Sequence, residues 1–310
     1  MHRREFVTLG ASAGAAFLAP NWLLAQAKPD RAAQMRAAAA TTPIKTTKLY
    51  DNIYLLQGAG GNMAVQTGPE GKLLIDSSFA TAVPRLREAI AALGPDPDNT
   101  LINTHWHIDH TDGNQGMHAA GFQILAHRKT RDRMAMPAEM PVLGISLPAY
   151  PDAALPVTTF DSSMHMWHNG DSIDLVHFEP AHTDTDIYIH FHNADVLHAG
   201  DVWFNGFYPF IDESSGGSIS GTIRADEKIL ALAGPNTKII PGHGPLGTRA
   251  ELQQFRDMLS GVRDRVAALK HAGLTEQETI AKKPTAEFDP VWNKSGGSTD
   301  MFVGIVYRTV

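Results

Sequence analysis

Four potential metal ligands fall within six residues in the run Thr104-His105-Trp106-His107-Ile108-Asp109-His110, directly after the apolar pair Leu101-Ile102. On an extended backbone alternate side chains share a side, so His105, His107 and Asp109 project together. His110 sits where the chain turns through Thr111-Asp112-Gly113-Asn114 into a helix, and it can swing to a second position beside the first. One run can therefore serve two adjacent cations. Imidazoles packed this densely would repel on protonation and would each need a hydrogen-bond partner if buried. The spacing points to metal binding rather than to a polar loop. The chain has 15 histidines and no cysteine, so the ligands must be imidazole and carboxylate. That donor set suits zinc, and also iron or manganese.

At 310 residues and 43% hydrophobic content the chain can bury a substantial core. Its formal charge of −7 and the absence of a basic block argue against a nucleic-acid partner held through phosphates. The start has the three parts of a secretory signal. His2-Arg3-Arg4 is charged, Phe6 to Pro20 is mildly apolar, and Ala25-Gln26-Ala27 is a small-x-small cleavage site. Arg3-Arg4 followed by Glu5-Phe6-Val7 resembles the twin-arginine class, which exports folded proteins. The apolar stretch is short of the roughly 20 residues of a spanning helix and is diluted by glycine. Residues 1–27 are therefore expected to be a cleaved signal peptide, with a periplasmic or secreted product and no integral membrane segment afterwards.

Residues 28–46 lack an apolar period and read as an N-terminal tail. From Leu49 short apolar runs begin: Ile53-Tyr54-Leu55-Leu56, Met63-Ala64-Val65 and Lys72-Leu73-Leu74-Ile75. They are separated by Gly58-Ala59-Gly60-Gly61 and Gly68-Pro69-Glu70-Gly71, the pattern of strands joined by tight turns. A helix is expected over 81–93, ending at Gly94-Pro95, and a strand over 101–104. Further strands are expected at 122–126, 173–178, 186–191, 194–199 and 237–240. Leu252, Phe255, Leu259, Val262, Val266 and Leu269 trace one face of a long helix over 249–270. Gly273 ends it, and Thr275 with Glu278 forms a capping box for the next helix. No repeat or linker divides the chain, so residues 47–310 read as one α/β domain.

The motif His105-x-His107-x-Asp109-His110 resembles the signature of the metallo-β-lactamase superfamily. Further motifs follow in that family's order: His182 in Ala181-His182-Thr183-Asp184, Asp201 in Leu197-His198-Ala199-Gly200-Asp201, and His243 in Pro241-Gly242-His243-Gly244. The resemblance covers roughly residues 47–270 and implies a four-layer αβ/βα sandwich with its site along one edge. It implies a first metal on His105, His107 and His182, and a second on Asp109, His110 and His243. Asp201 would bridge the two. A hydroxide held between the metals would be the nucleophile, oriented by Asp109, which could accept its proton.

Departures within the family bear on the reaction. The family's oxidoreductases place a glutamate where this chain has His107, and its best-known β-lactamases place a cysteine where this chain has Asp201. A third lactamase group shares the Asp109-His110 pair but lacks the bridging aspartate. The site thus looks more like that of hydroxyacyl-thioester hydrolases and lactonases. The expectation is an exported di-zinc hydrolase that cleaves an ester, thioester, lactone or amide of a small molecule. The alternatives are a β-lactamase proper and an exported metal-binding accessory protein for cofactor assembly. The aromatics of Val202 to Phe210 are read either as pocket lining or as core packing. The stretch 134–156 is read as a loop over the site or a surface excursion. His190 and His192 alternate on one strand, which leaves open a role behind a metal ligand.

Overall fold

Alternating side chains give most strands two distinct faces, and the fold follows from covering both. In the computed structural model, which describes residues 30–293 and 298–310, the first sheet runs in the order β1-β2-β3-β4-β5-β6-β9. These strands are β1 (Lys45–Lys48), β2 (Ile53–Gln57), β3 (Met63–Gln66), β4 (Lys72–Ile75), β5 (Asp98–Asn103), β6 (Gln123–His127) and β9 (Thr158–Phe160). Pairing is antiparallel up to β4 and parallel beyond it. A hairpin, β7 (Ala138–Met140) with β8 (Ile145–Leu147), stands apart from the sheet. The second sheet holds β10 (Ser163–His168), β11 (Asp171–His177), β12 (Ile187–Phe191), β13 (Val196–Phe204) and β14 (Lys238–His243). It is antiparallel except between β13 and β14.

One face of each sheet meets the other. Leu55, Leu73, Ile75 and Ile102 of the first sheet pack on Ile173, Ile189, Phe191 and Ile240 of the second. The opposite face of the first sheet presents Leu56, Val65, Leu74 and Leu101 to α2 (Val83–Ala91) and α4 (Asn114–Ala119). On the far face of the second sheet, α6 (Ile219–Leu232), α7 (Arg249–His271) and α10 (Thr299–Thr309) cover the β13–β14 side. Helix, sheet, sheet, helix is the four-layer sandwich. The remaining helices are α1 (Arg31–Ala39), α3 (Ile108–Thr111), α5 (Arg128–Met134), α8 (Glu276–Ala281) and α9 (Asp289–Trp292). No helix of the described residues is long and apolar enough to cross a membrane.

Two segments differ from expectation. The N-terminal tail 28–46, for which the sequence suggests no element, carries α1 among its described residues and the start of the edge strand β1. Arg36 of α1 makes a two-pronged pair with Asp112, Nε to Oδ2 at 2.9 Å and Nη2 to Oδ1 at 2.6 Å. That tertiary contact helps fix a helix whose own sequence, RAAQMRAAA, has no clear apolar face. Second, β13 runs past Asp201 to Phe204, because register shifts at Gly200 let it continue beside β14. The expected signal segment 1–27 lies outside the described residues.

Candidate metal centre

The ends of β5, β13 and β14 and the loop before β12 meet at one edge of the sandwich. There the structure brings all seven sequence-derived ligands together. His105, His107, His182 and Asp201 form one group and Asp109, His110 and His243 another, with the ligand atoms of each group within 4.8 Å of one another. Asp201 joins the groups. Its Oδ2 lies 3.5 Å from His182 Nε2 and 3.3 Å from His243 Nε2, while its Oδ1 lies 3.1 Å from His110 Nε2. His243 Nε2 is also 3.2 Å from Asp109 Oδ2.

Outer hydrogen bonds decide which nitrogen of each imidazole faces inward. Thr104 Oγ1 donates its one proton to Asp76 Oδ2 at 2.7 Å, so it accepts from His105 Nδ1 at 3.0 Å. The lone pair of His105 is then on Nε2. Asp76 also accepts from His110 Nδ1 at 2.7 Å. Asp212 accepts from His107 Nε2 at 3.0 Å, and the Phe210 carbonyl accepts from His182 Nδ1 at 2.8 Å. The lone pairs of His107 Nδ1 and His182 Nε2 therefore face each other across 2.9 Å with no proton between them. A cation relieves that arrangement and a hydrogen bond cannot. His105 Nε2, His110 Nε2 and Asp201 Oδ1 are likewise buried without a hydrogen-bond partner. The residues present fit a metal centre, and partners behind the ligands are how such sites orient imidazoles.

The electrostatics agree. Burial lowers His105 well below the ordinary imidazole range, with neighbouring His110 adding to it, and burial lowers His182 to about 4. Burial opposes protonation of His110 and His243 as well, yet Asp201 and Asp109 outweigh it. They raise His110 well above its usual value and His243 to about 9. Asp109 is also desolvated, but His110 and His243 hold it down to about 2. The carboxylates create a demand for positive charge at this point.

Close approach has a steric condition. A Cβ on Gly61 would lie 2.0 Å from His110 Cε1, and one on Gly242 would lie 1.9 Å from Asp201 Oδ1. Only glycine lets these backbones cradle the ligands. The Gly61 turn is tied to the β14 end by Asn62, which donates from its backbone N to the Gly242 carbonyl at 2.7 Å.

Above the ligands lies a cavity of about 110 Å³, lined by His107, Asp109, Asp201 and His243 together with apolar side chains. Phe204 and Phe210 of the aromatic stretch line it, whereas Trp203 is fully buried in core. Both readings of that stretch hold, divided by residue. Met140, Leu143 and Ile145 of the hairpin region form part of the wall, so 134–156 does reach over the site. Met35 of α1 adds to it. His190 and His192 do not stand behind any ligand; His192 pairs instead with Asp174 on the second sheet. Asp76, Asp212 and Thr104, which do stand behind ligands, were not singled out in the sequence. Asp76 had one signal, a carboxylate placed right after the apolar strand Lys72–Ile75.

The architecture and the paired His/Asp groups define a protein built to hold metal cations at a sheet edge. The profile of the Metallo-beta-lactamase superfamily matches residues 56–243, and the chain belongs to that superfamily. Among solved structures it resembles a metallo-beta-lactamase from Pontibacter korlensis, with a TM-score of 0.58 at 16% identity, over 70% of this chain and 99% of that one. It also resembles the inverting sec-alkylsulfatase from Pseudomonas sp., with a TM-score of 0.66 at 17% identity. That match covers 93% of this chain and 54% of the sulfatase, so the chain spans about half the sulfatase's length.

Proposed function

We propose that this chain is an exported two-metal hydrolase, with zinc as the resident cation, that cleaves an ester, thioester, lactone or amide of a small apolar molecule. The supporting observation is the shared Asp201 between two ligand groups at the floor of a cavity whose lining, among the described residues, contains no Lys or Arg. Bound divalent cations would supply Lewis acidity toward the scissile carbonyl and make a water acidic enough to attack at neutral pH. Iron or manganese would satisfy the same donors. The chain's own residues do the rest. Asp109, ionised and 14% exposed toward the cavity, accepts a hydrogen bond from an attacking water and orients it. Phe204, Phe210, Met140 and Ile145 exclude bulk water and receive an apolar substituent. A wall without a fixed cation offers an anionic substrate no partner beyond the metals, which weighs against sulfate esters and against β-lactams bound through their carboxylate.

The test is a panel of p-nitrophenyl acyl esters, thioesters, lactones, an alkyl sulfate and nitrocefin, offered to metal-loaded protein and to a chelator-treated control. Turnover of the neutral acyl substrates, rising with acyl length and lost with chelator, is expected. Faster turnover of nitrocefin would favour the β-lactamase reading. Silence on the whole panel by metal-loaded protein would favour the accessory, metal-binding reading.

Export rests on Arg3-Arg4 and the apolar stretch behind it. Replacing Arg3-Arg4 by Lys-Lys is expected to leave the protein in the cytoplasm; undiminished periplasmic recovery of that variant would refute the twin-arginine route.

A further inference from the structure

The outer face of the second sheet carries another set of ligand-bearing side chains. By strand register His165 on β10, Asp174 on β11 and His190 on β12 are direct cross-strand neighbours. His192 follows His190 by two residues and so points to the same face. Asp174 accepts from His165 Nδ1 at 2.7 Å through Oδ1 and from His192 Nε2 at 2.8 Å through Oδ2. The His190 and His192 rings lie 4.0 Å apart between centroids. The intervening Ile173, Ile189 and Phe191 point the other way, into the core between the sheets. The side chains of His165, His192 and Asp174 are 48%, 40% and 36% exposed, so a solute can reach them.

This group is separate from the catalytic edge. Ile187, where β12 begins, donates to the Thr104 carbonyl beside His105. His190 and His192 lie three and five residues further along, roughly 10 to 17 Å at the usual rise of a strand. No residue belongs to both sets.

His190-x-His192, at the end of β12 and just past it, repeats the spacing of His105-x-His107 at the edge centre. Burial, with His192 beside it, lowers His190, which keeps its imidazole neutral and basic enough to ligate. Slight burial works against ionisation of Asp174, but the hydrogen bonds from His165 and His192 outweigh it and favour the carboxylate. Neutral imidazoles around a carboxylate form a mixed N/O donor set, which zinc, copper(II) and nickel(II) prefer to magnesium or calcium. A cation entering here takes the Nε2 lone pair of His192 once that proton has moved to Nδ1 through solvent, so the neutral imidazole binds with no net proton release. Among the described residues, donor atoms converge within 4.8 Å only in the two groups at the sheet edge, so closing this set around a cation requires its side chains to rotate.

We propose that His190, His192 and Asp174, with His165 at the rim, form a second site for a divalent transition cation, distinct from the catalytic centre.

The experiment compares untagged mature protein with a His190→Ala/His192→Ala variant. Both are stripped with chelator and titrated with zinc ion alone by isothermal calorimetry, and hydrolysis is followed in parallel. The wild type is expected to take up one more zinc per chain than the variant, while the zinc-dependent rate of the two is the same. Equal uptake by both overturns the proposal, and the patch is then a hydrogen-bonded surface network. A second variant, His165→Ala/Asp174→Asn, is expected to weaken that same extra equivalent. Melting temperatures without metal verify that all three chains fold. The comparison reads a difference between chains, so it stands or fails independently of whether the catalytic centre hydrolyses anything.

Discussion

His107 is held from behind by Asp212 at Nε2, and its Nδ1 lone pair faces that of His182. Its replacement removes an inward donor and also leaves Asp212 short of a partner. His107→Ala is expected to reduce hydrolysis by more than about 100-fold, in line with losses for removing an essential metal-centre group. Asp109→Asn keeps the shape but removes the charge proposed to orient water, and a loss of similar size is expected. Rates measured beside circular dichroism check both; unchanged rates with an unchanged spectrum would contradict the site assignment. Among single residues, the candidate ligands that the fold brings together were legible because four of them share one short run and the others follow in the order that the family resemblance implies. Their supporting partners were not. Asp76 reaches His110 across 34 residues and Asp212 reaches His107 across 105, and no local spacing encodes a hydrogen bond that long.

Elements with a strong period were read closely. The expected helix over 249–270 is α7, Arg249–His271, and Thr275 with Glu278 closes a reciprocal cap on α8. The strand expected at 194–199 is β13, which extends to Phe204, since Gly200 interrupts the apolar run while the backbone continues. Helix α1 was missed because its sequence, RAAQMRAAA, has almost no amphipathic pattern. It is held by partners elsewhere: Asp112 on Arg36, and the Thr81 hydroxyl on the Arg36 carbonyl. This makes α1 a part of the site wall whose main polar anchor is the Arg36–Asp112 pair. Asp112 is nearly buried, at 6% exposure, so stripping its guanidinium partner costs about 1 to 3 kcal/mol. Arg36→Ala is therefore expected to lower the melting temperature by several degrees. As Met35 leaves the wall, KM for an apolar ester should rise several-fold while kcat changes less. A KM equal to wild type would show that α1 does not shape the cavity.

Across the whole molecule, two sheets packed face to face bring segments from residues 105 to 243 to one edge. The layered architecture was legible, since strands alternate with helices, and the family resemblance implied how they stack. The cavity above the ligands was not legible, because its wall combines α1, the β7–β8 region, Phe204 and Phe210, which meet only in the folded chain. What unites these features is the claim that the edge is a two-cation centre. The most direct test is metal content per chain by plasma mass spectrometry, on mature protein purified without chelator after expression with added zinc. The His190→Ala/His192→Ala background keeps the outer sheet face from contributing. The account predicts about two zinc per chain; a reproducible value near zero would mean that the seven ligands do not assemble a centre, and would contradict it.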